Sequence, residues 1–451
     1  MDTDTLKRRL RGTLITSFDP GFGADSDALI WNGRKPLRRA RLIVRAASAA
    51  DVQEAVRFAA AHGLTVSPRG GGHHFTGIAA RADMVIDLGA LDALQVDAAA
   101  QTARVEPSVT NARMAAALDA QGLAFPLGHC GSVPMSGYLL GGGVGWNGGA
   151  WGFACGRVTA VEIVLADGRL VTATATENAD LFWAARGAGP GFFGIVTAYH
   201  LRLAPAAGAI RTVIRVYPPA AVDAVSAWAE AVMAKAPASV EFTAKIAGTP
   251  GGPVVAAIAT VFAADETEAS SIHDALSDGA PEALQVIGPL AMPFPALYEA
   301  TDPSVPVGRR YRVESVWSDA TLGTLLGRAV QGMALAPSTE SFAVITLRPR
   351  AAPLPEGAAL SRDGRIFGVV YGIWTEAEDD DRNAAWLHGL IDGLAPHCTG
   401  SYAGLADLDR PGPRLPTHAP DAALRLAALR ARFDPAGLFG GGRAAAPIAA
   451  E

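Results

Sequence analysis

Three glycines run directly into two histidines in the stretch PRGGGHHFTG, residues 68–77, and this feature constrains the chain most. Glycine carries no Cβ, so backbone N–H groups there can lie against a ligand. Imidazoles stand beside them. What leads into the loop fixes its setting. The run RLIVRA reads as a strand rich in β-branched residues. Ser48 and Asp51 form an S-x-x-D cap signal, Val52, Ala55, Val56 and Ala59 recur at helical spacing, and Gly63 supplies the stop. LTVSP is a second strand that delivers the chain into the glycines, so the unit is βαβ.

Further along, MVIDLGAL reads as a strand, ALQVD and TARVEPS as a hairpin pair, and NARMAAALDAQG as a helix closed by Gly122. A second glycine-dense region follows, PLGHCGSVPMSGYLLGGGVGWNGGAWGFACGR, with weak apolar periodicity. VTAVEIVLADGRLVTAT then reads as a hairpin with a type I′ turn at Asp167-Gly168. In ENADLFWAARGAGPGFFGIVTAYHLRLAP a helical start, a glycine break and a strand succeed one another.

Gly143-Val-Gly145-Trp-Asn-Gly148 fits G-x-G-x-x-G, but a dinucleotide fingerprint should follow a strand and open a helix. Here it emerges from a glycine loop, and Asp167, at the spacing of the ribose-binding acid, belongs to a turn. A nicotinamide-dependent Rossmann enzyme is therefore the weakest option. Two glycine loops on a βα framework instead suit a diphosphate wrapped from two sides.

Taken together, RGGGHHFTG, GHCGSVPMSGYLLGGGVGW and ENADLFWAARGAGPGFFGIVT resemble the vanillyl-alcohol-oxidase / p-cresol-methylhydroxylase superfamily of FAD-linked oxidases, and within it the berberine-bridge-enzyme-like proteins. The resemblance covers most of residues 25–205 and returns at SYAGL and RFDPAGLF. It implies an α+β fold, with a two-part FAD-binding domain of the PCMH type at 1–205 and 400–451. A substrate-binding α+β domain with a mostly antiparallel sheet is expected at 206–399. It also implies that His73 is bonded to the flavin 8α-methyl, in a loop of Arg69, Gly70, Gly71, Gly72, His74 and Gly77. Gly128, Cys130 and Val133 match the second loop, whose cysteine is bonded to flavin C6 in doubly tethered members. Pro134 departs from the glycine usual there. Gly137, Gly141, Gly142, Gly143 and Gly145 match the following glycine run near the diphosphate, and Gly194 and Val196 complete the expected cofactor set. A valine at 133 leans towards admitting dioxygen.

Hydride removal from an alcohol or amine also requires a base. The family supplies a tyrosine from a Y-x-N segment. Tyr402 matches it, while Gly404 stands in place of the asparagine. Tyr371 and Tyr311 lie on expected sheet strands and are further candidates. Arg310 and Arg312 flank Tyr311, but strand neighbours point to opposite faces. His129 is either a supporting donor or a turn residue. Trp146, Trp151, Cys155 and Cys398 read as packing residues, and His397 beside Cys398 makes no metal site.

Composition narrows the class. Half of the 451 residues are hydrophobic and 18% are charged, which permits a large core. A formal net charge of −6 offers no field for nucleic acid. No apolar run reaches the roughly 20 residues of a membrane span, and the N-terminus lacks an apolar signal region. Three cysteines are too sparse for a disulfide framework. The expectation is a cytoplasmic FAD-dependent oxidoreductase with a small-molecule substrate and O2 as acceptor. A dehydrogenase with another acceptor and a non-catalytic flavin carrier are the alternatives.

Overall fold

The computed structural model describes residues 3–249, 251–348 and 352–440, so the outer ends of the spans 1–205 and 400–451 lie outside the described residues. Strand Leu42–Arg45, helix Ala49–Ala61 and strand Val66–Arg69 form as the sequence predicts. Strand Met84–Asp87 inserts between the two strands and pairs with both in parallel, while Thr13–Thr16 closes the far edge. The Ser48 hydroxyl accepts the Asp51 N–H at 3.3 Å. The Asp51 carboxylate turns back and accepts the N–H groups of Arg11, Gly12 and Ala47 at 2.8–2.9 Å. Val66–Arg69 is thus an anchored edge strand, and it releases the chain straight into the glycine–histidine loop.

A five-stranded antiparallel sheet follows. Leu94–Asp97 and Thr102–Val105 form one hairpin, Val158–Val164 and Leu170–Ala173 another, and Ile195–Arg202 joins them. The turn at Asp167-Gly168 differs from expectation. Only Gly168 is left-handed, with φ 78°, whereas a type I′ turn requires positive φ at both residues. The chain instead makes an ordinary turn in which Gly168 alone takes the left-handed position.

The third sheet has seven strands, every pair antiparallel, in the order Gln285–Ala291, Ala209–Tyr217, Val254–Ala263, Val240–Ala247, Phe342–Leu347, Ile366–Trp374, Arg310–Ser318. Helices Val222–Met233, Glu266–Ser277, Leu322–Met333 and Asp380–Leu394 cover one face. The alternation on Val240–Ala247 shows how the faces divide. Phe242, Ala244 and Ile246 pack under helices, and Glu241, Thr243 and Lys245 project from the other side.

Beyond this sheet the chain returns to the first part. The Thr399 N–H donates to the Trp317 carbonyl at 2.8 Å, and the Trp317 N–H donates to the Gly400 carbonyl at 2.7 Å. Helix Pro420–Phe433 brings the Phe433 ring parallel to that of Phe193. Leu438 then accepts the Val66 N–H at 2.7 Å and enters the first core with Phe439. Among the described residues, no helix is long and apolar enough to cross a membrane.

Candidate active site

The uncovered face of the seven-stranded sheet closes over the two glycine loops, and a cavity of about 600 Å³ lies between them. That volume falls in the range of small-molecule and cofactor sites. Fourteen of the expected cofactor residues lie on its wall: Arg69, Gly70, Gly71, Gly72, His73 and His74, then Gly77, Gly128, Cys130, Val133, Gly137 and Gly145, and finally Gly194 and Val196. Gly141, Gly142 and Gly143 do not. A Cβ on them would meet the Tyr402 hydroxyl, the Leu360 side chain and the Ala154 methyl, so these three serve packing behind the wall.

The first loop also shows why its glycines are needed. A Cβ on Gly70 would sit 1.9 Å from Ser136 Oγ, one on Gly71 2.7 Å from Pro134 Cγ, and one on Gly72 1.9 Å from the Leu29 carbonyl oxygen. The bare backbone nests against protein here, with the second loop pressed onto the first, rather than only against a ligand. Gly137 and Gly148 are different: both line the cavity, and a Cβ on either meets no protein atom.

His73 stacks on Trp31, with centroids 5.0 Å apart. Burial, reinforced by the nearby Arg69 guanidinium, lowers its pKa to about 4, with the Ser132 backbone opposing. The imidazole is therefore neutral at ordinary pH and keeps one nitrogen lone pair free. Ser132 belongs to the cysteine loop, and its hydroxyl lies 3.4 Å from Cys130 Sγ. Burial pushes the Cys130 thiol pKa up. His74 bonds the Thr76 hydroxyl through Nδ1 at 2.9 Å. Burial, with Arg81 adding to it, takes its pKa to about 4 as well.

The three expected bases occupy different settings. Tyr311 is off the wall: its hydroxyl donates to the Pro306 carbonyl, and its ring packs on Trp31 and Phe75. The flanking arginines point away, Arg310 to Asp380 and Arg312 to Asp407, so neither draws a proton from it. Tyr402 reaches the wall, and its hydroxyl accepts the Gly143 N–H at 3.0 Å. Its backbone N–H donates to Ser315 Oγ, so this tyrosine bridges the sheet to the glycine run. Tyr371 lines the cavity, stacked on Phe342 at 4.6 Å. Burial raises the pKa of all three phenols.

Two cavity residues were not singled out in the sequence, Glu241 and Lys245. The polar-apolar alternation of VEFTAKIA was the available signal. Glu241 Oε1 lies 2.7 Å from His129 Nε2, and the His129 ring packs on Trp146 with centroids 4.1 Å apart. Thr301 and Asp302 hold the same loop: the Thr301 hydroxyl donates to the His129 carbonyl and the Asp302 carboxylate accepts the Gly131 N–H, both at 2.9 Å.

These residues fit a flavin. The cavity floor carries glycines whose missing Cβ leaves space rather than contact, and the buried Trp146 Nε1 on the wall has no hydrogen-bond partner among the described residues. An acceptor atom of a bound group would satisfy that donor.

Comparison with known proteins agrees. Residues 40–174 match the family described as FAD binding domain. The FAD-linked oxidoreductase penO of Penicillium crustosum is 28% identical over 408 residues, covering 88% of this chain and 90% of its own. The (R)-6-hydroxynicotine oxidase of Paenarthrobacter nicotinovorans is 36% identical over 195 residues, 43% of this chain and 42% of its own. Among solved structures, BBE-like 1 of Physcomitrella patens superposes with a TM-score of 0.85 over 100% of both chains at 18% identity. The chain thus carries an FAD-binding domain over residues 40–174, is similar along most of its length to FAD-linked oxidoreductases, and shares the fold of a berberine-bridge-enzyme-like protein.

Proposed function

We propose that the protein is an FAD-dependent oxidase that removes a hydride from an alcohol or amine carbon of a small molecule and passes the electrons to O2, giving hydrogen peroxide. The observation that carries this reading is the shared wall of the two loops. Neutral His73 and Cys130 both face a cavity roofed by the sheet, and the Ser132 hydroxyl lies 3.4 Å from the Cys130 thiol. His73 is the tether to the cofactor, and Cys130 is the second tether. The neutral imidazole is ready to bond, whereas the thiol must first lose a proton that burial holds. When bound, the isoalloxazine supplies a two-electron acceptor at N5.

The chain itself must position the substrate and accept its proton. Tyr371, on the wall and with no hydrogen-bond partner for its hydroxyl among the described residues, is suited to donate a hydrogen bond to the reacting oxygen or nitrogen. Its raised pKa makes it a donor rather than a base. His129 is the better proton acceptor: with Nε2–H donated to Glu241, Nδ1 carries the lone pair. Tyr402 holds Gly143 and so orders the glycine run. Val133 on the wall supports access of O2.

The test is a screen of alcohols and amines with an oxygen electrode. An oxidase consumes O2 and forms an equal amount of peroxide. Turnover with an artificial dye but not with O2 would assign a dehydrogenase instead, and flavin that no substrate reduces would assign a carrier.

A further inference from the structure

Among the described residues, three permanent cations reach the cavity wall: Arg69, Lys245 and Arg348. Two are committed. Arg69 pairs with Asp87 at 3.1 Å, and Arg348 lies 3.8 Å from Asp363 and over the rings of Phe153 and Trp317. Lys245 has no carboxylate partner among the described residues. Its Nζ donates to Ser304 Oγ at 2.7 Å and sits 4.7 Å from the centroid of the Phe342 ring. An ammonium has three N–H donors, so this one keeps two to give.

The nearby acids do not serve it. Glu241, the one carboxylate on the wall among the described residues, is held by His129. Asp302 is turned to the Gly131 N–H. Lys245 is half-buried, and burial lowers its pKa with no opposite charge to offset the loss of water. A cation kept in such a place without a counter-ion is costly unless something anionic joins it. Its position is set by the sheet: it shares a face with Glu241 and Thr243, and Phe342 lies on the strand between those of Lys245 and Tyr371.

We propose that Lys245 binds a carboxylate of the substrate, which is therefore a small organic acid whose apolar body lies along the sheet between Lys245 and Tyr371. The surroundings match. Ile258, Val344 and Val369 supply apolar wall, while the hydroxyls of Thr243 and Thr346 satisfy each other at 2.9 Å. The inference rests on the reading of this cavity as the flavin and substrate site, and it deepens that reading by naming the substrate class.

Benzoate and its neutral isostere benzamide, titrated calorimetrically into the protein as purified, test it. The wild type should bind benzoate at least about tenfold more tightly, the scale of one charge-assisted contact. In Lys245→Met that preference should vanish with benzamide unchanged, and Lys245→Arg should restore part of it. Equal binding of the two ligands by the wild type overturns the proposal without any variant, as does a benzoate preference that survives in Lys245→Met. Flavin absorbance of the same samples is read separately. Protein that holds no flavin overturns the oxidase reading, while the calorimetric comparison still decides the role of Lys245.

Discussion

His129 Nε2 lies 2.7 Å from Glu241 Oε1, and this bond joins the cysteine loop of the flavin-binding half to the central strand of the antiparallel sheet. A carboxylate that accepts from one imidazole nitrogen fixes the ring and leaves the lone pair on the other. The pair therefore ties the two sides of the cavity together, and the proposed role of His129 as proton acceptor rests on it.

If His129 is the base, Glu241→Gln and His129→Gln slow flavin reduction by substrate about a hundredfold, within the usual range for general-base removal. Anaerobic stopped-flow mixing measures this. The flavin spectrum of both variants should stay that of the wild type, and a change below about twofold assigns the pair a structural role only.

The glycines separate into two kinds that substitution distinguishes. Gly72 has φ 70°, and a Cβ there collides with the Leu29 carbonyl. Gly72→Ala should lower the thermal midpoint and abolish flavin retention together. Gly137→Ala meets no protein atom. It should leave the midpoint of flavin-free protein unchanged and reduce the 450 nm absorbance per chain, because the methyl takes cofactor space.

Asp51 is almost fully buried and accepts three backbone N–H groups from two segments. Asp51→Ala strands those donors at about 1–3 kcal/mol each where water cannot reach them. A fall of several degrees in the unfolding midpoint is expected, with the flavin content of the folded fraction unaltered.

The edge strand and its loop carry a pH signature. His74 has a pKa of about 4 in the fold against 6.5 as the ordinary value, through burial and Arg81, with Asp407 and Asp409 opposing. Between those pH values the unfolded chain takes up a proton on this ring and the folded chain does not. Stability from this source is full above pH 6.5 and falls as pH drops towards 4, by up to about 3 kcal/mol. Thermal midpoints at pH 7 and pH 4.5 should differ less for His74→Gln than for the wild type.

Local signals made the flavin half legible. Ser48, Gly63 and the helical spacing of Val52, Ala55, Val56 and Ala59 act within one turn of chain, and the structure builds that unit as read. The order of strands was not local information: nothing within RLIVRA or LTVSP says that Met84–Asp87 will insert between them. Tyr311 illustrates the same limit at the site. Its strand was foreseen, but whether its face meets cavity or core depends on Trp31 and Phe75, hundreds of residues away in sequence. Lys245 and Glu241 were hidden because a charged residue on an amphipathic strand normally faces water, and only the opposed glycine loops turn that face into a cavity wall.

The most direct test of the central claim is flavin fluorescence on a denaturing gel, with intact mass, for the wild type, His73→Ala, Cys130→Ala and the double variant. The account predicts that the wild-type band fluoresces and carries the added mass of FAD, that each single variant keeps part of the label, and that the double variant loses it. A wild-type chain that is colourless as purified and takes up no FAD when offered it would contradict the account.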